Sequence, residues 1–127
     1  MEYIEEHIDL SIEEAARRFE AWVTERGMKI FDKIDQCKEA RQVDLTIEPT
    51  LYYIFGNPKV GTLLMQQDDQ ITFELPLKLL LIGDNKGTKV IYKNPKEFVH
   101  HDRLNEQGQQ ILDHMCQFYA GYLERCK

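Results

Sequence analysis

Apolar residues at positions 12, 15, 16, 19, 22 and 23 recur at the i, i+3, i+4, i+7 spacing that keeps one face of a helix dry. The pattern predicts a helix that opens at Ser11 and closes at Gly27, a left-handed cap. Ser11 and Glu14 stand at capping-box spacing, so each side chain is expected to satisfy a backbone donor at the helix start. Ahead of this helix, residues 3–9 alternate loosely around Tyr3, Ile4 and Ile8 and read as a strand. Behind it, residues 28–35 read as a second strand, with Met28, Ile30 and Ile34 on one face and Lys29, Phe31 and Lys33 on the other. Asp32 falls on the apolar face, where a carboxylate costs desolvation, so a bulge is expected there.

Residues 36–43 form a polar connection with room for a helical turn, and Leu45 and Ile47 alternate until Pro49 interrupts them. Residues 51–55 are apolar on both faces, the pattern of a central strand covered on each side. Gly56, Asn57 and Pro58 then make a sharp strand-to-helix junction, with Asn57 as N-cap and Pro58 in the first helical position. Val60, Leu63 and Leu64 supply the buried stripe of this short helix, and Gly61 inside it suggests the close approach of another backbone or a ligand. Residues 73–82 are almost unbroken in apolarity, with Leu75, Leu77, Leu79 and Leu81 facing one way and Pro76 marking a start or a bulge. A hairpin turn at 84–87 returns the chain into a strand over 88–92, closed by Asn94 and Pro95. The remainder reads as helix, with a stripe through Leu104, Ile111, Leu112, Met115, Phe118, Tyr119 and Tyr122 that weakens at Gly108 and Gly121. Strand, helix, several strands with one inserted helix and a terminal helix suit an α+β domain: an antiparallel sheet with its helices packed on one face.

At 127 residues, 43% hydrophobic and 30% charged, the chain can form one domain, residues 1–127, with a core that needs neither a disulfide nor a metal. The net charge of −6 repels phosphate backbones and argues against nucleic acid as a partner. Cys37, Cys116 and Cys126 form no CxxC pair and have no histidine at ligand spacing, so free thiols and no metal site are expected. His100, His101 and Asp102 are adjacent, point about 100° apart on a helix and are read as the cap and start of the last helix. No apolar run approaches the roughly 20 residues of a membrane span. Residues 1–10 carry three glutamates and an aspartate where a secretory signal would be basic and apolar, so a cytoplasmic protein is expected.

Several short motifs stand in a characteristic order. Phe55-Gly56-Asn57-Pro58-Lys59 is followed by Gly61-Thr62 and Met65, then Leu75-Pro76-Leu77-Lys78, then Tyr92 and Asn94-Pro95. Together they resemble the domain-of-unknown-function 302 (DUF302) family, from the Ser11 helix through Pro95. The resemblance implies a strand-helix-four-strand-helix domain of the TATA-binding-protein-like class, a label for topology that carries no DNA binding. It implies no established activity. Relatives often show Ile-Asp-His and Tyr-Asn-Asp-Pro where this chain has Ile34-Asp35-Gln36 and Tyr92-Lys93-Asn94-Pro95, so it lacks that histidine and that second aspartate.

Two places carry candidate chemistry. Exposed amides between Gly56 and Thr62, the dipole of the helix they open, and Lys59 together suit a phosphate or carboxylate. A tight turn that merely needs Gly, Asn and Pro accounts for the same residues, and the full phosphate-loop spacing is absent. Lys78 sits opposite Leu77 and Leu79, where its ammonium must reach water or find a carboxylate. Paired with Asp35 or Asp32 in a pocket it could serve acid/base or imine chemistry. No oriented nucleophile and base stand out, so binding ranks ahead of catalysis. The leading reading is a ligand-binding or interaction domain whose site involves Gly56, Asn57, Lys59, Thr62 and Lys78, without a cofactor. An enzyme using Asp35 and Lys78, and a structural adaptor with no ligand, are the alternatives. An open antiparallel sheet with edges to cover also suggests a homodimer.

Overall fold

Strand β1 (Ile4–Ile8) and helix α1 (Ile12–Glu25) open the computed structural model, which describes residues 3–127. Strand β2 (Lys29–Asp35), the short helix α2 (Gln36–Arg41) and strand β3 (Thr50–Gly56) follow. Helix α3 (Pro58–Met65) and a 3-10 turn at Gln70–Glu74 are inserted before the hairpin of β4 (Leu77–Asp84) and β5 (Gly87–Tyr92). Further 3-10 turns at Pro95–Glu97 and His101–Arg103 lead into the long helix α4 (Glu106–Arg125). The strands form one antiparallel sheet in the order β1-β5-β4-β3-β2. This is the strand-helix-four-strand-helix arrangement of an α+β domain, with α3 as the inserted short helix.

Strand alternation sets the core. Leu77, Leu79 and Leu81 of β4, with Tyr53 and Phe55 of β3 beside them, turn to the helical side and are buried. α1 and α4 meet over this surface. Phe19 lies 5.0 Å from Phe55 and 5.1 Å from Tyr122 between ring centroids, both near edge-to-face, the geometry aromatic quadrupoles favour. The polar tips of the layer are satisfied as well: the Trp22 indole donates to the Phe118 carbonyl at 3.0 Å and the Tyr122 hydroxyl to the Ala15 carbonyl at 2.8 Å.

The other face of the sheet carries Ile34, Tyr52, Leu80 and Ile91 in one cross-strand row, all half-buried. The strand that is apolar on both faces is covered by helices on one side only, and its other face joins this apolar row. β2 is bulged between Ile30 and Asp32, as the misplaced Asp32 suggested. The bulge puts Ile30 and Lys33 on the helical side and leaves Asp32, exposed on an edge strand, sharing the open face with Ile34.

Several local expectations need correction. Ser11 caps α1 by accepting from the Glu14 amide, but the Glu14 carboxylate turns to Arg17 and Arg18 instead of closing the box. These two guanidinium contacts, that with Arg17 first, hold Glu14 at a pKa of about 2. The final helix starts later than the histidines, because Asn105 is its N-cap and accepts from the Gly108 amide at 2.9 Å. His100 instead takes a left-handed conformation and meets Asp68 at 2.9 Å. At Gly61 a methyl group would find only Leu75 Cδ1, at 3.9 Å, so nothing crowds that position. At Gly121 the reverse holds: Trp22 occupies the space a side chain would need.

Candidate functional site

Neighbouring residues of β4 lead to two separate cavities. Lys78 turns to the open face of the sheet, and Leu77 to the helical side.

The sheet-face cavity has a volume of about 510 Å³. Its floor is the row Tyr52, Leu80 and Ile91, contributed by three adjacent strands. Tyr92, Phe98 and Tyr119 close the end of the sheet where β5 stops, and Tyr119 stacks on Tyr92 at 4.1 Å between centroids. The Tyr119 hydroxyl donates to the Lys78 carbonyl at 2.8 Å, and burial pushes its pKa far above the usual phenol range. Glu74 Oε2 accepts from Lys93 Nζ and from the Val99 amide, each at 2.7 Å. The Lys78 ammonium is half-buried and donates to the neutral Pro76 carbonyl at 2.9 Å, and no carboxylate of the described residues forms an ion pair with it. Burial, first, and the Lys93 charge lower its pKa, against an opposing pull from Glu74. Burial also raises Tyr52 and Tyr92. Counting lining side chains, two ammoniums against one carboxylate leave one net positive charge in an otherwise aromatic and aliphatic space.

The corner cavity, about 420 Å³, lies between the β3–α3 junction, the Leu75-Pro76-Leu77 segment and α4. Gly56 belongs to its wall, and a Cβ there would rest in ordinary contact with Pro76 Cβ at 3.8 Å. Asn57 and Thr62 also line it. Two of their oxygens are engaged: Asn57 Oδ1 accepts from the Lys59 and Val60 amides at 3.0 and 3.3 Å, and Thr62 Oγ1 donates to the Pro58 carbonyl at 2.7 Å. The amides expected to cradle an anion are thus taken by the N-cap. Lys59 is exposed and lines neither cavity.

The glycine-asparagine corner and the Lys78 strand are neighbours, since Phe55 pairs with Leu77 and Ile54 with Lys78. Their side chains do not share a pocket: Lys78 lines the sheet-face cavity, whereas Gly56, Asn57 and Thr62 line the corner cavity. Nor does the structure join Asp35 to Lys78. Asp35 pairs with Leu51 on the helical side and caps α2 through the Lys38 amide at 3.0 Å. Asp32 does share Lys78's face, but Ile54 stands between them. The Lys78 ammonium donates to the Pro76 carbonyl instead and forms no ion pair with Asp32. Among the described residues no group of three His, Cys, Asp or Glu could hold a metal ion, and no helix is long and apolar enough to cross a membrane.

The residues that complete the sheet-face cavity, Glu74, Lys93, Tyr52, Tyr92 and Tyr119, do not announce themselves in the sequence. The one usable signal was the alternation that set Lys78 beside Leu80. Glu74 and Lys93 are 19 positions apart and meet only because a 3-10 turn precedes β4.

The family model for the domain of unknown function DUF302 matches residues 4–120, beyond the stretch from Ser11 to Pro95 that carries the motifs. The chain belongs to the DUF302 family. The crystal structure of an uncharacterized conserved DUF302 protein from Bacillus stearothermophilus superposes with a TM-score of 0.84, covering 100% of this chain and 99% of that one at 18% identity. That likeness shows the shared DUF302 fold. Fluoride-specific ion channel FluC 1 of Brucella suis biovar 1 (strain 1330) is 36% identical over 77 residues, 61% of this chain and 30% of that protein. FluC 1 of Brucella abortus biovar 1 (strain 9-941) is likewise 36% identical over 77 residues, covering 61% of this chain and 28% of its own length. The matched stretch of this DUF302 chain covers less than a third of the length of these relatives.

Proposed function

We propose that the domain binds a small organic anion with a planar apolar body in the sheet-face cavity, without transforming it. The observation that carries this reading is the half-buried Lys78 ammonium, held by one neutral carbonyl and facing about 510 Å³ of space. A half-buried ammonium whose one direct partner is a neutral carbonyl bears a desolvation cost that an incoming carboxylate or similar group would offset. Tyr52, Tyr92 and Phe98 offer faces and edges against which a flat body packs. The placement of Asp35 and Lys78 on opposite faces of the sheet supports binding over catalysis by that pair. Three free cysteines suit the reducing cytoplasm in which we place the protein.

The test is an amide-shift titration with benzoate, short alkyl carboxylates, phosphate and fluoride, the last because the Brucella relatives bear a fluoride channel's name. Saturable shifts at Tyr52, Leu80 and Ile91 are expected with an aromatic carboxylate, and at least a tenfold loss of affinity in Lys78→Met. No shift at millimolar concentration of any of these anions overturns the reading.

A second reading, a homodimer through the open sheet face, is favoured by the half-buried row Ile34, Tyr52, Leu80 and Ile91 and by the nearby exposure of Phe31, 42%, and Phe73, 89%. Sedimentation velocity at micromolar concentration decides it, and a single species of monomer mass removes it.

A further inference from the structure

We propose that the corner cavity is a second and separate binding site, for a hydrophobic carboxylic acid whose body lies among Met28, Met65 and Met115 and whose carboxylate meets Arg26 and His114. All three methionines of the described residues line this one cavity. Met28 precedes β2, Met65 ends α3 and Met115 belongs to α4, so the fold gathers them from three distant parts of the sequence. Thioether side chains are unbranched and polarizable, and they refit around irregular apolar shapes more readily than leucine or isoleucine. Phe31 and Leu75 complete an apolar lining.

Size decides between an ion and a molecule. Sulfur ligands with an imidazole also suit a soft cation such as Cu(I). A volume of about 420 Å³, however, far exceeds a coordination sphere with metal–ligand bonds of about 2.0–2.3 Å. It falls within the range of roughly 300–1,000 Å³ typical of organic-ligand sites.

Charge places the polar end. Arg26 and His114 are the exposed, nitrogen-bearing members of the lining and so mark its mouth. Lys29 Nζ stands 5.2 Å from the ring of Phe31, another lining residue, and adds positive potential on that side. The nearby acid, Glu25, is already shared between Arg26 at 3.6 Å and Arg125 at 3.3 Å. An anionic head at the mouth and an uncharged body inside match this distribution, and β4 separates the site from the Lys78 cavity.

The test titrates protein carrying 13C-labelled methionine methyls with octanoate, with octanol and with Ag(I) as a stand-in for Cu(I). Octanoate should shift the Met28, Met65 and Met115 methyls saturably, and octanol should bind at least fivefold more weakly. Arg26→Gln combined with His114→Gln, both at exposed positions, should erase that preference, and Lys78→Met should leave it intact. Absence of saturable methyl shifts at millimolar octanoate, equal affinity for octanoate and octanol, or stoichiometric Ag(I) shifts without an octanoate response would each overturn the proposal. The octanoate-to-octanol ratio of the unaltered protein decides the matter even if the double variant fails to fold.

Discussion

Two opposing forces act on Lys78. Its butyl stem lies with the apolar row of the open face, while its ammonium loses water there and gains only a peptide carbonyl. The folded protein therefore holds this proton less tightly than the unfolded chain does, whose lysine titrates near 10.5. Between the lowered folded value and 10.5 the unfolded chain binds more protons, so stability climbs with pH across that window. Below it the stabilising contribution is lost. Denaturation of Lys78→Met beside the unaltered protein at several alkaline pH values should show the unaltered protein gaining on the variant as pH rises, and parallel curves would refute the assignment. Glycines give a sharper contrast of sign. A methyl group at Gly61 meets nothing closer than 3.9 Å, so Gly61→Ala should stabilise α3 by roughly 0.5–1 kcal/mol through helix propensity. At Gly121 the same methyl would stand 2.8 Å from Trp22 Cη2. Overpacking of about 1–3 kcal/mol then outweighs the propensity gain of about 1, and Gly121→Ala should lose on the order of 1 kcal/mol in urea denaturation. In the sequence Gly61 suggests a close approach and Gly121 only a weakened stripe, the reverse of what the packing shows. Only the partner across the interface, 99 positions away for Trp22 and Gly121, tells them apart.

At the level of elements, what could be read in advance was what is decided locally. Ser11 and Asn57 announce caps because a short oxygen-bearing side chain just before an apolar period satisfies backbone amides within a few residues. Asn57→Ala should therefore cost about 1 kcal/mol in urea denaturation, and loss of helical amide shifts confined to α3 would confirm where the cost falls. Asp32 revealed the bulge because a carboxylate in an apolar alternation signals a change of phase. The approach to α4 was not legible, since Asn94, Asn105 and the histidines all suit a helix start and tertiary contacts select among them. Gln67 Oε1 accepts from the Asn105 amide at 2.9 Å and Asp68 engages His100, contacts that no local pattern encodes. The candidate site shared that fate. Its strand residue was visible in the alternation of β4, whereas its partners depend on the register between strands.

For the molecule as a whole, aromatic contacts join α1, α4 and β3 in one layer, so these parts should unfold together. Trp22 fluorescence and far-ultraviolet circular dichroism should give coincident urea transitions, and a separate early fluorescence change would show α4 detaching on its own. The same alternation that builds this layer also governs what changes the domain tolerates. Across residues 77–82 a hydrophobic side chain faces the helices at every second position, and Lys78 lies between two of them. Substitution at any one position alters a single side chain. Deleting one residue would turn the segment over, driving an ammonium into the interior and core leucines onto the open face, so this stretch should drift by replacement over evolutionary time while keeping its length fixed.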